Sequence, residues 1–166
     1  MTKLTCRASL VTGVLAFVTV ACSSEVERVP VATAGDVGIY DACAPASAAP
    51  DVGSLYFTVV NDGAEPDTLL RVTSPAGMAM LHDVVTDESG VTSMVHVPAV
   101  EIAPQSTLYL APGSYHVMFS NLSEPLRRGD TVDVTLTFAL AGEVTFGAPV
   151  LTYTEVVELL ERRPEP

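Results

Sequence analysis

Residues 127–150 read RRGDTVDVTLTFALAGEVTFGAPV, and this stretch decides the fold class. Val132, Val134, Leu136 and Phe138 occupy alternate positions, with Thr131, Asp133, Thr135 and Thr137 between them. Successive side chains on a strand point to opposite faces, so this spacing predicts a strand with one dry face and one wet face. A further strand is expected from Glu143 to about Tyr153. Moving outward, the same pattern recurs. Ser54 to Val60 alternates and stops at the turn signal Asn61-Asp62-Gly63, and Thr68 to Thr73 stops at Ser74-Pro75-Ala76-Gly77. Ala79 to Val85 and Val91 to Val97 flank Asp87-Glu88-Ser89-Gly90 as a hairpin, and Ala111-Pro112-Gly113-Ser114 separates Thr107–Leu110 from Tyr115–Phe119. Short strands punctuated by Gly and Pro predict an all-β sandwich. At the edges of this pattern, Val29 to Tyr40 is expected to supply a first strand, whereas DACAPASAAP (41–50) reads as loop or linker. Glu155 to Arg163 is the one helical candidate, limited to a frayed tail by Pro164 and Pro166.

Composition narrows the function. The chain has 166 residues, 20 acidic against 8 basic, a formal net charge of -12 and 48% hydrophobic residues. That charge repels phosphate backbones and argues against nucleic-acid binding, and the apolar content argues against a disordered chain. The length suits one domain. Three Cys are too few for a disulfide scaffold.

The N-terminus reads as an address. Lys3 and Arg7 precede an apolar stretch of 12 residues, Leu10 to Ala21, too short for a bilayer span but suited to a secretory signal. The sequence Thr19-Val20-Ala21-Cys22 resembles a bacterial lipobox, with Thr19 departing from the usual Leu. The expected organisation is a signal peptide at 1–21, an acylated Cys22 opening a flexible tether at 22–29, a folded domain at 30–157 and a tail at 158–166. Acyl chains would hold the domain at the extracytoplasmic face of the cell membrane, each buried CH₂ contributing roughly 0.8 kcal/mol. Processing removes Lys3, Arg7 and Cys6 but no acid, so 6 basic residues face 20 acidic ones and the charge becomes -14. Cys43 is then the one free thiol and is expected to be a bland buried or loop cysteine, the alternatives being an exposed reactive thiol or one paired with another chain.

The scarce residues carry the chemistry. All three His, and every Met except Met1, lie between Met78 and Met118. His116-Val117-Met118 places imidazole and thioether at i and i+2, on one face of a strand, and Met94/His96 and Met80/His82 repeat that spacing. Met also fills core gaps, and packing is the competing reading of any single pair. Thioethers are neutral soft donors that select Cu(I), and imidazole also suits copper. A site without Cys thiolates resists oxidation outside the cytoplasm.

The pattern His82-x11-Met94-x21-His116-x-Met118 resembles the copper-binding signature of the PCu(A)C-type periplasmic copper chaperones. SLYFTVVNDGAEPDTLLRVTSP (54–75) is similar to the family's opening strands, APGSYHVMFSNL (111–122) to its Pro-Gly-x-Tyr-His-x-Met segment, and residues 127–150 to its closing hairpin. The resemblance covers roughly residues 30–157. It implies a cupredoxin-like Greek-key β-sandwich of about 8–9 strands, binding one Cu(I) per chain through His82, Met94, His116 and Met118. It also implies delivery of copper to cytochrome oxidase, directly to a copper-accepting subunit or through an assembly factor, by a protein expected to be monomeric and not an enzyme. Asp83 stands where members often carry Glu or Met, outside the four ligands. His96 is a departure as well, and on the Met94 face it is a candidate auxiliary ligand. His96, Met78 and Met80 otherwise read as bystanders.

Other classes fit less well. A blue copper site needs a Cys thiolate with two His and an axial Met, and no Cys lies between Tyr115 and Leu122. Neither G-x-S-x-G nor H-E-x-x-H occurs. A copper-buffering or resistance lipoprotein would share the whole site, and a metal-free interaction lipoprotein would share the sandwich.

Overall fold

The computed structural model describes residues 28–163. The expected signal peptide, Cys22, most of the tether, Pro164 and Pro166 therefore lie outside the described residues. Within them, eleven strands precede one helix: β1 Ala32–Ala34, β2 Val37–Pro45, β3 Val52–Asn61, β4 Asp67–Thr73, β5 Met78–Thr86, β6 Thr92–His96, β7 Val100–Ile102, β8 Ser106–Leu110, β9 His116–Ser120, β10 Thr131–Phe138, β11 Glu143–Leu151 and α1 Tyr153–Glu161. Hydrogen bonding runs in the order β6-β5-β9-β3-β2-β11-β10-β4-β7, with β1 added to β2 and β8 to β3. The path folds over so that its two halves enclose one core. Leu55, Phe57 and Val59 of β3, Leu81 of β5 and Val117 and Phe119 of β9 join Val134 and Leu136 of β10 and Phe146 of β11 in a single buried cluster. Phe57 meets Phe146 edge to face, ring centroids 5.9 Å apart, a favoured aromatic geometry.

The alternation over residues 131–138 is realised. In β10, Val132, Val134, Leu136 and Phe138 are buried, and β11 buries Val144, Phe146, Ala148 and Val150. Strand count is higher than expected for two local reasons, and one expected loop is strand as well. The stretch 29–40 is broken at Gly35, whose φ of +52° makes the turn between β1 and β2. The short strand β7 fills the edge beside β4. Residues 41–45, expected to be loop, belong to β2. There Ala42, Cys43 and Ala44 are buried in succession, and consecutive burial erases the period of two that marks a strand. A register shift between Tyr40 and Cys43, with Asp41 at φ +50°, lets β2 continue past this point and pair in parallel with β11 through Val150↔Ala44.

The helix also differs from expectation. It starts at Tyr153, runs past residue 157 and is docked, not frayed: Val156 is fully buried against Cys43 and Tyr56. Thr152 caps it, its hydroxyl accepting from the Glu155 N–H at 3.3 Å while the Glu155 carboxylate accepts from the Thr152 N–H at 2.8 Å. This reciprocal capping box satisfies two otherwise orphaned donors.

Strands β8 and β9 position the site. Both pair antiparallel with β3, β8 along Phe57–Asn61 and β9 along Val52–Leu55. They form one line of strand interrupted by the excursion 111–115. The Ser114 N–H donates to the Ala111 carbonyl at 3.2 Å across Pro112 and Gly113, with Gly113 at φ +80°. This is a type II turn, which needs glycine at its third position. The Ala111 N–H donating to the Tyr115 carbonyl at 2.8 Å closes the excursion and returns the chain to the sheet at His116.

Candidate functional site

The site lies on the outer face of β6, β5 and β9. Leu81, Val117 and Phe119 enter the core, so their neighbours His82, His116 and Met118 point the other way. Pairing then fixes who stands beside whom. His82 is opposite His116 on β9 and opposite His96 on β6, giving a row of three imidazoles across three strands. Met80 is opposite Met118, which is in turn opposite Ser54. Met94 is opposite Val84, and Met78 is opposite Ser120. Every His, and every Met among the described residues, therefore shares one face.

Distances bear on what the row can hold. The His82 and His116 ring centroids are 6.0 Å apart with planes 25° from parallel, and those of His82 and His96 are 5.9 Å apart at 75°. A metal bonded to Nε2 at about 2.0–2.1 Å lies roughly 3 Å from the ring centroid, so one ion can join imidazoles with centroids up to about 6 Å apart. Both pairs meet that spacing. Hydrogen bonds also fix the tautomers. His116 Nδ1 lies 2.9 Å from the Ser114 carbonyl oxygen, and His82 Nδ1 lies 3.3 Å from that of Met80. A carbonyl oxygen only accepts, so Nδ1 carries a proton, and in the neutral ring Nε2 is the nitrogen with a lone pair for a ligand. Anchoring one ring nitrogen in this way orients metal-ligating imidazoles.

Met94, His116 and Met118 line one cavity of about 420 Å³ with Ser54, Pro45 and Tyr153. The four expected donors differ in exposure. His116 is only 7% exposed, His82 and Met118 are half-buried, and Met94 is 60% exposed. Met94 sits on β6, exposed at every residue and paired only with β5. The hairpin turn feeding that strand is well made: the Asp87 carboxylate accepts from the Ser89 hydroxyl and from the Ser89 and Val91 N–H groups. Those contacts, the Ser89 hydroxyl first, hold the Asp87 carboxyl below its usual range.

Cys43 is elsewhere. It lies fully buried beneath α1 with Tyr56 and Val156, and burial pushes its thiol up to about 11. Among the described residues no group of three or more His, Cys, Asp and Glu side chains is arranged to hold a metal. Only with the thioethers counted does the His/Met face reach four donors. Its chemistry is that of soft, neutral ligands. The alternation within each strand exposed most of this face to sequence reasoning. The placement of Met80 beside Met118 was missed, because it depends on β5 lying next to β9.

A family model for LpqE-like lipoproteins matches residues 37–150. The chain belongs to the LpqE-like lipoprotein family. A curated relative from Leifsonia xyli subsp. xyli, named as lipoprotein Lxx21020, is 30% identical over 102 residues, which is 61% of this chain and 61% of that relative's own length. Among solved structures, the copper-bound PCuAC domain from PmoF2 superposes with a TM-score of 0.61 at 28% identity, covering 72% of this chain and 96% of that one. The solution structure of CuI-DR1885 from Deinococcus radiodurans gives a TM-score of 0.55 at 24% identity over 80% and 86% of the two chains, a likeness of fold. The cupredoxin-like β-sandwich implied by the sequence is therefore the fold of this LpqE-like chain, with eleven strands among its described residues in place of the expected eight or nine. No helix among its described residues is long and apolar enough to cross a membrane.

Proposed function

We propose that this chain is an extracytoplasmic metallochaperone, anchored through acylated Cys22, that binds one Cu(I) with His82, Met94, His116 and Met118 as ligands. The observation that carries the reading is the His82–His116 pair, 6.0 Å between centroids, with Met118 on the same face and Met94 in the same cavity as His116 and Met118. The likeness to a copper-bound PCuAC domain supports it. Copper is cargo in this reading. His116 and His82 supply Nε2, and the two thioethers favour Cu(I) over harder divalent ions. His96, opposite His82, is an auxiliary donor for the oxidised ion. The protein performs no covalent chemistry of its own.

Release follows from exposure. A partner thiolate or imidazole displaces the thioethers stepwise, beginning with Met94 at the solvent edge. The recipient is a copper-accepting oxidase subunit or an assembly factor for the oxidase copper centre. The acidic surface favours a basic docking patch, within a screening length of about 8 Å at physiological salt. A blue copper reading is disfavoured by Cys43, which is buried beneath α1 and does not line the cavity.

Titration of the purified protein with Cu(I) under reducing conditions tests the binding reading. One equivalent is expected, colourless, with mixed nitrogen and sulfur scatterers by X-ray absorption. Intense absorption near 600 nm, or absence of sulfur scatterers, would overturn it. Delivery is tested separately by oxidase activity in a deletion strain at limiting copper. Unchanged activity with lost copper tolerance would replace delivery by buffering.

A further inference from the structure

Met80 has a place in the copper chemistry that the four-ligand pattern does not assign. Its side chain stands on the same outer face as His82, since Leu81 between them is buried in the core. It is registered directly opposite Met118, and the next same-face pair along the two strands is His82 opposite His116. Adjacent strands are about 4.8 Å apart and same-face neighbours about 6.8 Å apart along a strand. Two imidazoles and two thioethers thus occupy a block of roughly 5 by 7 Å on β5 and β9 alone. Met94 lies on the other side of this block, two residues beyond His82 in register, because it pairs with Val84.

The two methionines differ in how they are held. Met80 is half-buried on β5, which is hydrogen-bonded on both sides, to β6 and to β9. Met94 is exposed on the edge strand. Met80 also fixes its neighbour, its carbonyl lying 3.3 Å from His82 Nδ1. A methionine has three rotatable side-chain bonds and a polarizable sulfur, so a thioether on this block can reach an ion shared by the two imidazoles.

We propose that Met80 is an exchange ligand: when Met94 swings off the Cu(I) with the edge strand, the Met80 thioether takes its position, and the ion stays on His82, His116, Met118 and Met80 until a partner's donor displaces a thioether in turn. No electron or proton moves; one Cu–S bond forms as another breaks. This rests on the copper-site reading above and adds a second donor set to it. Met78 is outside the exchange, being two residues further from the imidazoles and opposite Ser120.

X-ray absorption of the Cu(I)-loaded full chain tests the exchange in four forms: wild type, Met94→Leu, Met80→Leu and the double variant. Leucine conserves volume, so folding is preserved. Wild type and both single variants are expected to keep two sulfur scatterers, and the double variant one. Cu(I) affinity should fall less than about 10-fold in Met94→Leu and at least 10-fold further in the double variant. A single sulfur in Met94→Leu, or a double variant binding no more weakly than Met94→Leu, would overturn the exchange while leaving the four-ligand site intact. A wild-type spectrum without sulfur would instead overturn the copper-site reading and the exchange with it.

Discussion

Strands β9 and β6 carry the same two residue types at the same spacing, His116-x-Met118 and Met94-x-His96, yet the fold treats them oppositely. β9 lies between β5 and β3, and its intervening residues Val117 and Phe119 are fully buried. Its imidazole is fixed through Nδ1 by the Ser114 carbonyl. β6 is an edge strand, paired on one side only, and none of its residues is buried. Local opening free energy follows buried contacts, so a segment of this kind opens far more readily than a core strand. One His/Met pair is thus built into the sandwich and the other is hung on its margin. A protein that must both hold a metal ion and surrender it needs this inequality, because donors that are all rigid release slowly and donors that are all mobile bind weakly.

The largest expected effect tests the inequality without copper. Phe119→Ala removes a fully buried aromatic from the core and should cost about 3–5 kcal/mol. Val95→Ala on β6, partly solvent-exposed, should change stability by no more than about 0.5 kcal/mol. Urea denaturation measures both, and hydrogen exchange should find β6 amides opening well before those of β9. Equal costs would mean that the two strands are equally anchored and that the comparison is false.

Copper binding provides the next test. His116→Ala should weaken Cu(I) affinity by at least about 100-fold, close to 2.7 kcal/mol. Met94→Leu should weaken it by less than about 10-fold and speed transfer to a competing thiol chelator. A Met94→Leu loss as large as that of His116→Ala would place the essential donor on the edge strand and invert the roles.

Much of this was legible in the sequence, for reasons that differ by residue. β10 and β11 border a core on one face and solvent on the other, so Val132 to Phe138 display their period directly. The His/Met face was legible strand by strand, since i and i+2 must agree. Its assembly was not, because nothing local states that β5 lies beside β9 with His82 opposite His116. The sequence pointed to a buried or loop position for Cys43, and it is buried, but within a strand where loop was expected. Ala42–Ala44 is buried on both faces, Ala42 and Ala44 in the core and Cys43 beneath α1, which small residues permit and periodicity cannot reveal. The helix start has a local signal, the capping box Thr152-x-x-Glu155, which outweighs Pro164 and Pro166.

Cys43 gives a control, since it lies beneath α1, outside the cavity, and should govern stability without touching either His/Met pair. Burial pushes Cys43 up to about 11 from an ordinary 9.0, and burial raises the neighbouring Tyr56 hydroxyl as well. A raised thiol is neutral when folded and ionises when unfolded. Its stabilisation is complete below about pH 9 and is lost as pH climbs through about 11. The Cys43 share is on the order of 2 kcal/mol. Cys43→Ala should flatten the alkaline fall in melting temperature and leave Cu(I) affinity at pH 7 unchanged. A copper effect would connect Cys43 to the site and remove it as a control.

The smallest expected effect concerns the helix whose first residue, Tyr153, forms part of the cavity wall. Thr152→Ala deletes the N-cap and should cost about 1 kcal/mol. Its partner Glu155 is held down to about 2, first by the Arg128 guanidinium and then by the Thr152 backbone and hydroxyl. A carboxylate depressed in the folded state contributes above its ordinary value, 4.5, and its contribution drains away as pH falls from there toward 2. Glu155→Gln should therefore reduce stability at pH 7 and flatten the acid limb between those values, measured by thermal melts across the range. Loosening this cap frees Tyr153 in the cavity wall. Cu(I) affinity in Thr152→Ala should accordingly fall by less than in Met94→Leu. A larger fall would show that the yielding side of the site is the helix and not the edge strand, and that the difference between β9 and β6 is not what sets copper release.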